Sequence, residues 1–316
     1  MSVRIGLNIV TYPFASTKGF WRWVDLCEEN DIDSLWQTDR LVSTLPFLES
    51  MTTMAALAGG TKRLKFGMNV VVVTFRDPLV LAKQCATIDF LSDGRLLPAF
   101  GVGGPVAPEW EATGRTTRQR GAIANEALEI MARLWAEERV TYEGAHFQYR
   151  NARIEPKPVQ QPLPLWIGGI SEAAIRRTAR LGNGWLGGLQ TPETAGQVVA
   201  AIKTAAAEEG RAIDEDHYGA SFPFYFGPWD APAVQDSLSL YRREDISWDP
   251  PDYFAVGDAG AILGRIRAYM DQGISKFVMR PLGESESEIM TQTQRLVEEV
   301  VPLVHGAPAA AADART

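Results

Sequence analysis

Short, nearly continuous apolar runs alternate along this chain with longer stretches whose apolar residues recur every three or four positions. The runs predict strands at 3–10 (VRIGLNIV), 33–38 (DSLWQT), 64–73, 95–102, 164–168, 184–187, 219–226 and 275–279. Unbroken Val, Ile and Leu, rather than strict alternation, is what a parallel strand covered on both faces carries. Between the strands the spacing predicts helices near 18–30, 47–59, 78–91, 118–137, 171–182, 192–209, 258–273 and 285–303. In 120–137, for example, Ile123, Ala127, Ile130, Met131 and Leu134 form one apolar stripe. Eight strands alternating with eight helices predict an α/β fold, a (β/α)8 TIM barrel. A doubly wound open sheet is the competing arrangement and differs by a reversal of strand order.

Two stretches interrupt the alternation. Residues 138–162 and 227–256 are polar and aromatic excursions closed or punctuated by prolines, expected as loop insertions that serve as lids or binding elements. One domain is expected over 1–304, with a flexible tail at 305–316. The composition, 46% hydrophobic and 22% charged, is enough to bury a sizeable core. A formal net charge of -8 without a basic run argues against a nucleic-acid partner. No apolar stretch reaches membrane-span length and the N-terminus does not read as a signal peptide, so a cytoplasmic protein is expected. Cys27 and Cys85 fall in helical patterns and are expected as buried reduced thiols. His146, His217 and His305 lack metal-ligand spacing, so no metal site is expected.

The stretch "LPLWIGGISEAAIRRTARLGNGWLGG" at 163–188 runs from a strand through two glycines into a helix opened by Ser171 and Glu172. Glycines there let the backbone approach an anion, and the first helical turn offers free N–H groups to a phosphate. A tight turn with Ser171 as a simple cap explains the same residues equally well. A second cluster, "FGVGGP" at 100–105, ends the fourth strand but lacks the third glycine and the helix of a dinucleotide fingerprint. The following loop carries Glu109, Glu111, Arg115, Arg118 and Arg120, and "WQTDR" places Thr38, Asp39 and Arg40 at the end of strand two. In a barrel that is the functional end, where polar groups serve the site, while the loop charges read also as solvated surface; Asp39, Arg40 and Glu109 are the candidates for acid or base chemistry. Phe14, Trp21, Phe47, Trp110, Tyr225, Trp229 and Trp248 are candidates for an apolar substrate pocket.

Several segments in order, above all "TFRDPLVLAKQCATIDFLSDGRLLPAFGVGG" at 74–104 with "EWEATG", "RQRGAIANEALEIMARLW", "PKPVQQPLPLWIGGISEAA" and "GNGWLGG", resemble the bacterial luciferase-like superfamily of flavin- and deazaflavin-dependent oxidoreductases. The resemblance implies a TIM barrel with insertions. It implies a cofactor phosphate held by Gly169, Ile170 and Ser171 with help from Arg120, a non-proline cis peptide behind the ring at Asn69 and Val70, and Asp39, Gly101 and Gly103 beside that ring. Relatives that oxidise sugar phosphates with F420 have "SDH" and "GTGE" where this chain has "TDR" and "GVGG", so Arg40 and Gly104 stand in place of a histidine and a glutamate. The expectation is a two-component monooxygenase that takes reduced FMN from a separate flavin reductase and oxygenates a small organic substrate. The alternative is a hydride-transfer enzyme using F420, towards which "TFR" at 74–76 leans; a non-catalytic flavin-binding subunit is the third reading. The resemblance further implies a homodimer or higher homo-oligomer.

Overall fold

The structure, a computed structural model, describes residues 3–10, 13–241 and 249–305. Trp248, the middle of the second insertion and nearly all of the expected tail lie outside the described residues. The strands are β1 (Arg4–Ile9), β2 (Ser34–Gln37), β3 (Lys65–Met68), β4 (Val71–Val72), β5 (Leu96–Leu97), β6 (Ala99–Gly101), β7 (Val140–Glu143), β8 (Gln148–Ala152), β9 (Trp166–Gly168), β10 (Gly184–Leu186), β11 (Tyr218–Phe226), β12 (Ala255–Gly257) and β13 (Lys276–Pro281).

All but β7 and β8 belong to one parallel sheet. β1 lies between β2 and β13, with Leu7 opposite both Leu35 and Met279. From β13 the pairing passes to β11, β10, β9 and β6. On the other side β2 pairs with β3 and β3 with β5, while β4 pairs with β6. The sheet is curled and TIM-barrel-like. Asp77, Ser171, Thr191, Asp258 and Ser285 each cap a following helix by accepting a backbone N–H, which explains why the helices begin where they do.

The departures from expectation have local causes. The run at 64–73 divides at the Asn69–Val70 peptide, which is cis, and ends in a 3-10 turn at Val73–Phe75. The run at 95–102 divides at Pro98, which has no N–H to give a ladder. The insertion at 138–162 folds as the antiparallel hairpin β7–β8, and the second insertion contributes the helix Pro232–Tyr241, a turn of helix at Pro250–Tyr253 and β12, which pairs with the end of β11. A short helix, Pro108–Ala112, forms in the loop after β6. The helix expected at 285–303 ends at Glu299, and a short one follows at Val301–His305.

Inside the curl, Trp36, Ala99, Trp166, Leu186 and Val278 from five strands pack together. At its N-terminal end the Lys276 ammonium is buried against Asp33 and donates to Ser34 Oγ at 2.9 Å. Cys27 and Cys85 are buried free thiols between sheet and helices, and burial pushes both above the usual thiol range. With its base filled, the sheet opens at the C-terminal ends of its strands, where two cavities lie.

Candidate active site at the C-terminal face

The loop after β9 answers what its glycines do. Gly168 lies against Val70, whose Cγ1 would be 3.2 Å from an added Cβ, and Gly169 has φ +113° with Ala174 Cβ only 3.0 Å from such an atom. Any other residue at 169 is strained twice over, by conformation and by contact. Ser171 caps the helix Glu172–Leu181 by accepting from Ala174 N at 3.3 Å. Ile170 is exposed on the loop. The turn is tight and Ser171 caps the helix, and the phosphate reading of the motif stays a proposal.

Arg120 opens the helix Arg120–Ala136, with Nη1 3.5 Å from Thr117 O and a buried Nε that has no hydrogen-bond partner. It is tied to the Gly169–Ser171 loop by a residue that sequence reasoning passed over. Arg177, 6% exposed, donates from Nε to Asn125 Oδ1 at 2.7 Å and from Nη2 to Gly121 O at 3.2 Å. The signal was present: an arginine on the helix face shared with buried Ala174 and Thr178.

The glycines after β6 serve the neighbouring wall. A Cβ on Gly101 would stand 2.7 Å from Val70 Cγ2, so Gly101 and Gly168 together make the space Val70 fills. Gly103, φ +76°, lets the chain turn against Val72 and Trp110. Trp110 in turn donates to Gly104 O at 2.8 Å and meets Phe75 edge-on. Asn69 Nδ2 donates to Ser221 Oγ at 3.2 Å across the opening of the curl.

Asp39 is placed in this wall. Its carboxylate accepts from both Arg76 Nη atoms at 2.7 and 2.8 Å, from Val72 N at 3.0 Å and from Ser50 Oγ at 3.1 Å. Arg76 also reaches Glu49 at 2.9 Å, and the two carboxylates hold its guanidinium above the usual arginine range against the opposing pull of burial. Four hydrogen bonds from three residues hold Asp39 against the segment after Asn69. Arg40 faces the other way, lining a cavity, with Nη1 3.5 Å from both oxygens of buried Glu109. Arg40 and Glu109 are thus brought together, while Asp39 is held apart from them by its own ion pair.

The cavity measures about 710 Å3 and is lined by Asn8, Thr38, Arg40, Asn69, Ser221 and Arg280 among apolar Val42, Phe47, Leu189, Phe222 and Val278. That volume lies within the range of small-molecule sites. Among the aromatic candidates Phe47 lines it and Phe14 lines a neighbouring chamber, whereas Trp110 is wall packing and Trp21 covers Gly60. At the opposite end of the sheet Asp214, Asp216 and His217 approach one another, with Asp216 paired to Arg4 at 2.6 Å.

A family model described as luciferase-like monooxygenase matches residues 4–276. This chain belongs to that family. A similar relative is an F420-dependent glucose-6-phosphate dehydrogenase of Kineococcus radiotolerans, 25% identical over 88% of this chain and 90% of the relative. Among solved structures, a monooxygenase from Streptomyces bottropensis superposes with a TM-score of 0.83 at 21% identity, covering 95% of this chain and 99% of the other. An F420-dependent secondary alcohol dehydrogenase superposes with a TM-score of 0.82 at 19% identity, covering 96% and 99%. The luciferase-like chain is accordingly an oxidoreductase of this class, and the likeness to the solved structures establishes its fold. No helix among its described residues is long and apolar enough to cross a membrane.

Proposed function

We propose that this luciferase-like protein is an F420-dependent hydride-transfer oxidoreductase acting on a small, mainly apolar alcohol or carbonyl compound. The observation that carries the cofactor choice is the match to an F420-dependent dehydrogenase across nearly nine-tenths of the chain. We read the curled sheet as a (β/α)8 barrel, with β3 and β4 one strand and β5 and β6 another. Two features fit a phosphate-bearing tricyclic group: the unpartnered buried Nε of Arg120 and the cradle at Gly169 that a Cβ would fill. Gly169, Ile170, Ser171 and Arg120 would hold its phosphate end, and Asn69, Val70, Gly101 and Gly103 would support its ring. When bound, F420 supplies a two-electron hydride acceptor or donor at that ring.

The chain's own part is to bind, orient and exclude water. Thr38 and Arg40 would hold the substrate oxygen, with Glu109 fixing the Arg40 guanidinium. Arg40 and Gly104 stand where the sugar-phosphate dehydrogenases have histidine and glutamate, and this replacement weighs against a sugar phosphate as the substrate.

That same replacement favours a second reading, a monooxygenase using reduced FMN from a separate reductase, because oxygenation does not require such an acid and base pair. Anaerobic titration of cofactor-free protein distinguishes them. F420 is expected to bind at least tenfold more tightly than reduced FMN, and the reverse order would overturn the first reading in favour of the second.

A further inference from the structure

Beside the main cavity lies a second chamber of about 350 Å3 that shares Asn8, Val10, Leu45, Leu240 and Arg280 with it. Its far walls are apolar, formed by Phe14, Trp23, Leu282 and Ile289. Polar groups break the lining in places, and one of them is buried. Ser237, on the helix Pro232–Tyr241, is 3% exposed and lines the chamber, and its Oγ has no hydrogen-bond partner. Buried hydroxyls are almost always paired, so an unpaired one on a residue that lines this chamber marks a place for a ligand's polar atom. Asp236 and Glu284 also line the chamber, and desolvation together with a hydrogen bond to Asp236 raises Glu284 above the usual carboxylate range. Both acids are exposed, and Arg280 lines the same chamber, so its charged groups are mixed in sign.

We infer that this chamber is a specificity subsite that takes the distal end of the substrate: a mainly apolar chain carrying one hydroxyl or carbonyl that pairs with Ser237, while the reacting end lies by Thr38 and Asn69. The inference rests on the main cavity being the reaction site of the proposed oxidoreductase. It names Ser237 as a specificity residue that need not touch the cofactor.

The test is calorimetric binding to cofactor-free protein of the 2-ketones from butanone to decanone, and of decan-2-one bearing a terminal hydroxyl. Affinity should rise by about fourfold per added methylene until the chamber is filled. Ser237→Ala should weaken the hydroxylated ketone by roughly fivefold and leave decan-2-one unchanged. Ala233→Leu, which places bulk in the chamber, should bring the rise to a stop at a shorter chain. Affinity independent of chain length, or equal effects of Ser237→Ala on the two ten-carbon ketones, would overturn the subsite. Failure of F420 to bind while these results hold would remove the cofactor reading and leave the subsite standing.

Discussion

Arg177 shows how one side chain can tie together two elements of the proposed phosphate site. It joins the helix that Ser171 caps to the helix that Arg120 opens, and Gly121 leaves an open approach for its Nη2, 3.4 Å from where a Cβ would sit. Burial and the neighbouring Arg180 lower it below the usual arginine range, yet arginine remains charged at neutral pH. Arg177→Met leaves Asn125 Oδ1 and Gly121 O without this donor, a loss of about 1–3 kcal/mol. The phosphate group should feel the displaced Arg120 more than the ring does. Expected is a several-fold weaker Kd for FMN or F420 and an unchanged Kd for their dephosphorylated forms. Equal weakening of both forms would reduce Arg177 to a packing residue. The turn at Gly169 and the Ser171 cap were legible in the sequence because backbone conformation and capping are local. The partner of Asp39 was not, since Arg76 lies 37 positions away and only the closed-up sheet brings them together.

At the scale of elements, the alternation of runs and stripes was legible because burial on two faces or one leaves a plain periodic trace. The hairpin β7–β8 left little trace, since its strands VTYE and QYRNA are mostly exposed or half-buried. What holds its turn is a carboxylate from another element. Glu126, on the helix Arg120–Ala136, accepts from Ala145 N at 3.0 Å, His146 N at 2.9 Å and Phe147 N at 3.1 Å. Gly144 permits that approach, because a Cβ there would be 2.3 Å from Glu126 Oε2. Glu126→Ala frees three donors at the surface, so amide exchange at 144–147 should quicken by ten- to a hundredfold while amides of β1 and β13 keep their protection. Hydrogen exchange read by mass spectrometry checks this. Loss of protection in the sheet as well would mean that the hairpin is integral to the fold rather than appended to it.

For the whole molecule, carboxylates that fasten distant segments set the acid limit of stability. Burial would raise Glu28, Asp33 and Glu49, but each is held below its usual range by stronger combined partners. Those partners are the N–H groups of Leu64, Lys62 and Arg63 for Glu28, Lys276 for Asp33, and Thr52 N with Arg76 for Glu49. A folded-state value below the unfolded one contributes stability that is complete above the unfolded pKa, about 4 for these groups, and is lost as pH falls through the lower folded value. Tm should therefore be nearly level from about pH 5 to 8 and fall steeply below about pH 4. Lys276 acts in the opposite sense. Burial outweighs Asp33 and lowers it, so its contribution improves as pH rises towards its unfolded value. Above about pH 10 that gain meets losses from Tyr149 and Tyr218, which burial and nearby acids push up to about 12. Glu28→Gln tests the assignment by calorimetry. The variant should lose Tm at pH 7, and the deficit should shrink as pH falls through the lowered folded-state value of Glu28. A deficit that stays constant from pH 7 to 3 would show that Glu28 holds the 62–64 loop by shape and not by charge.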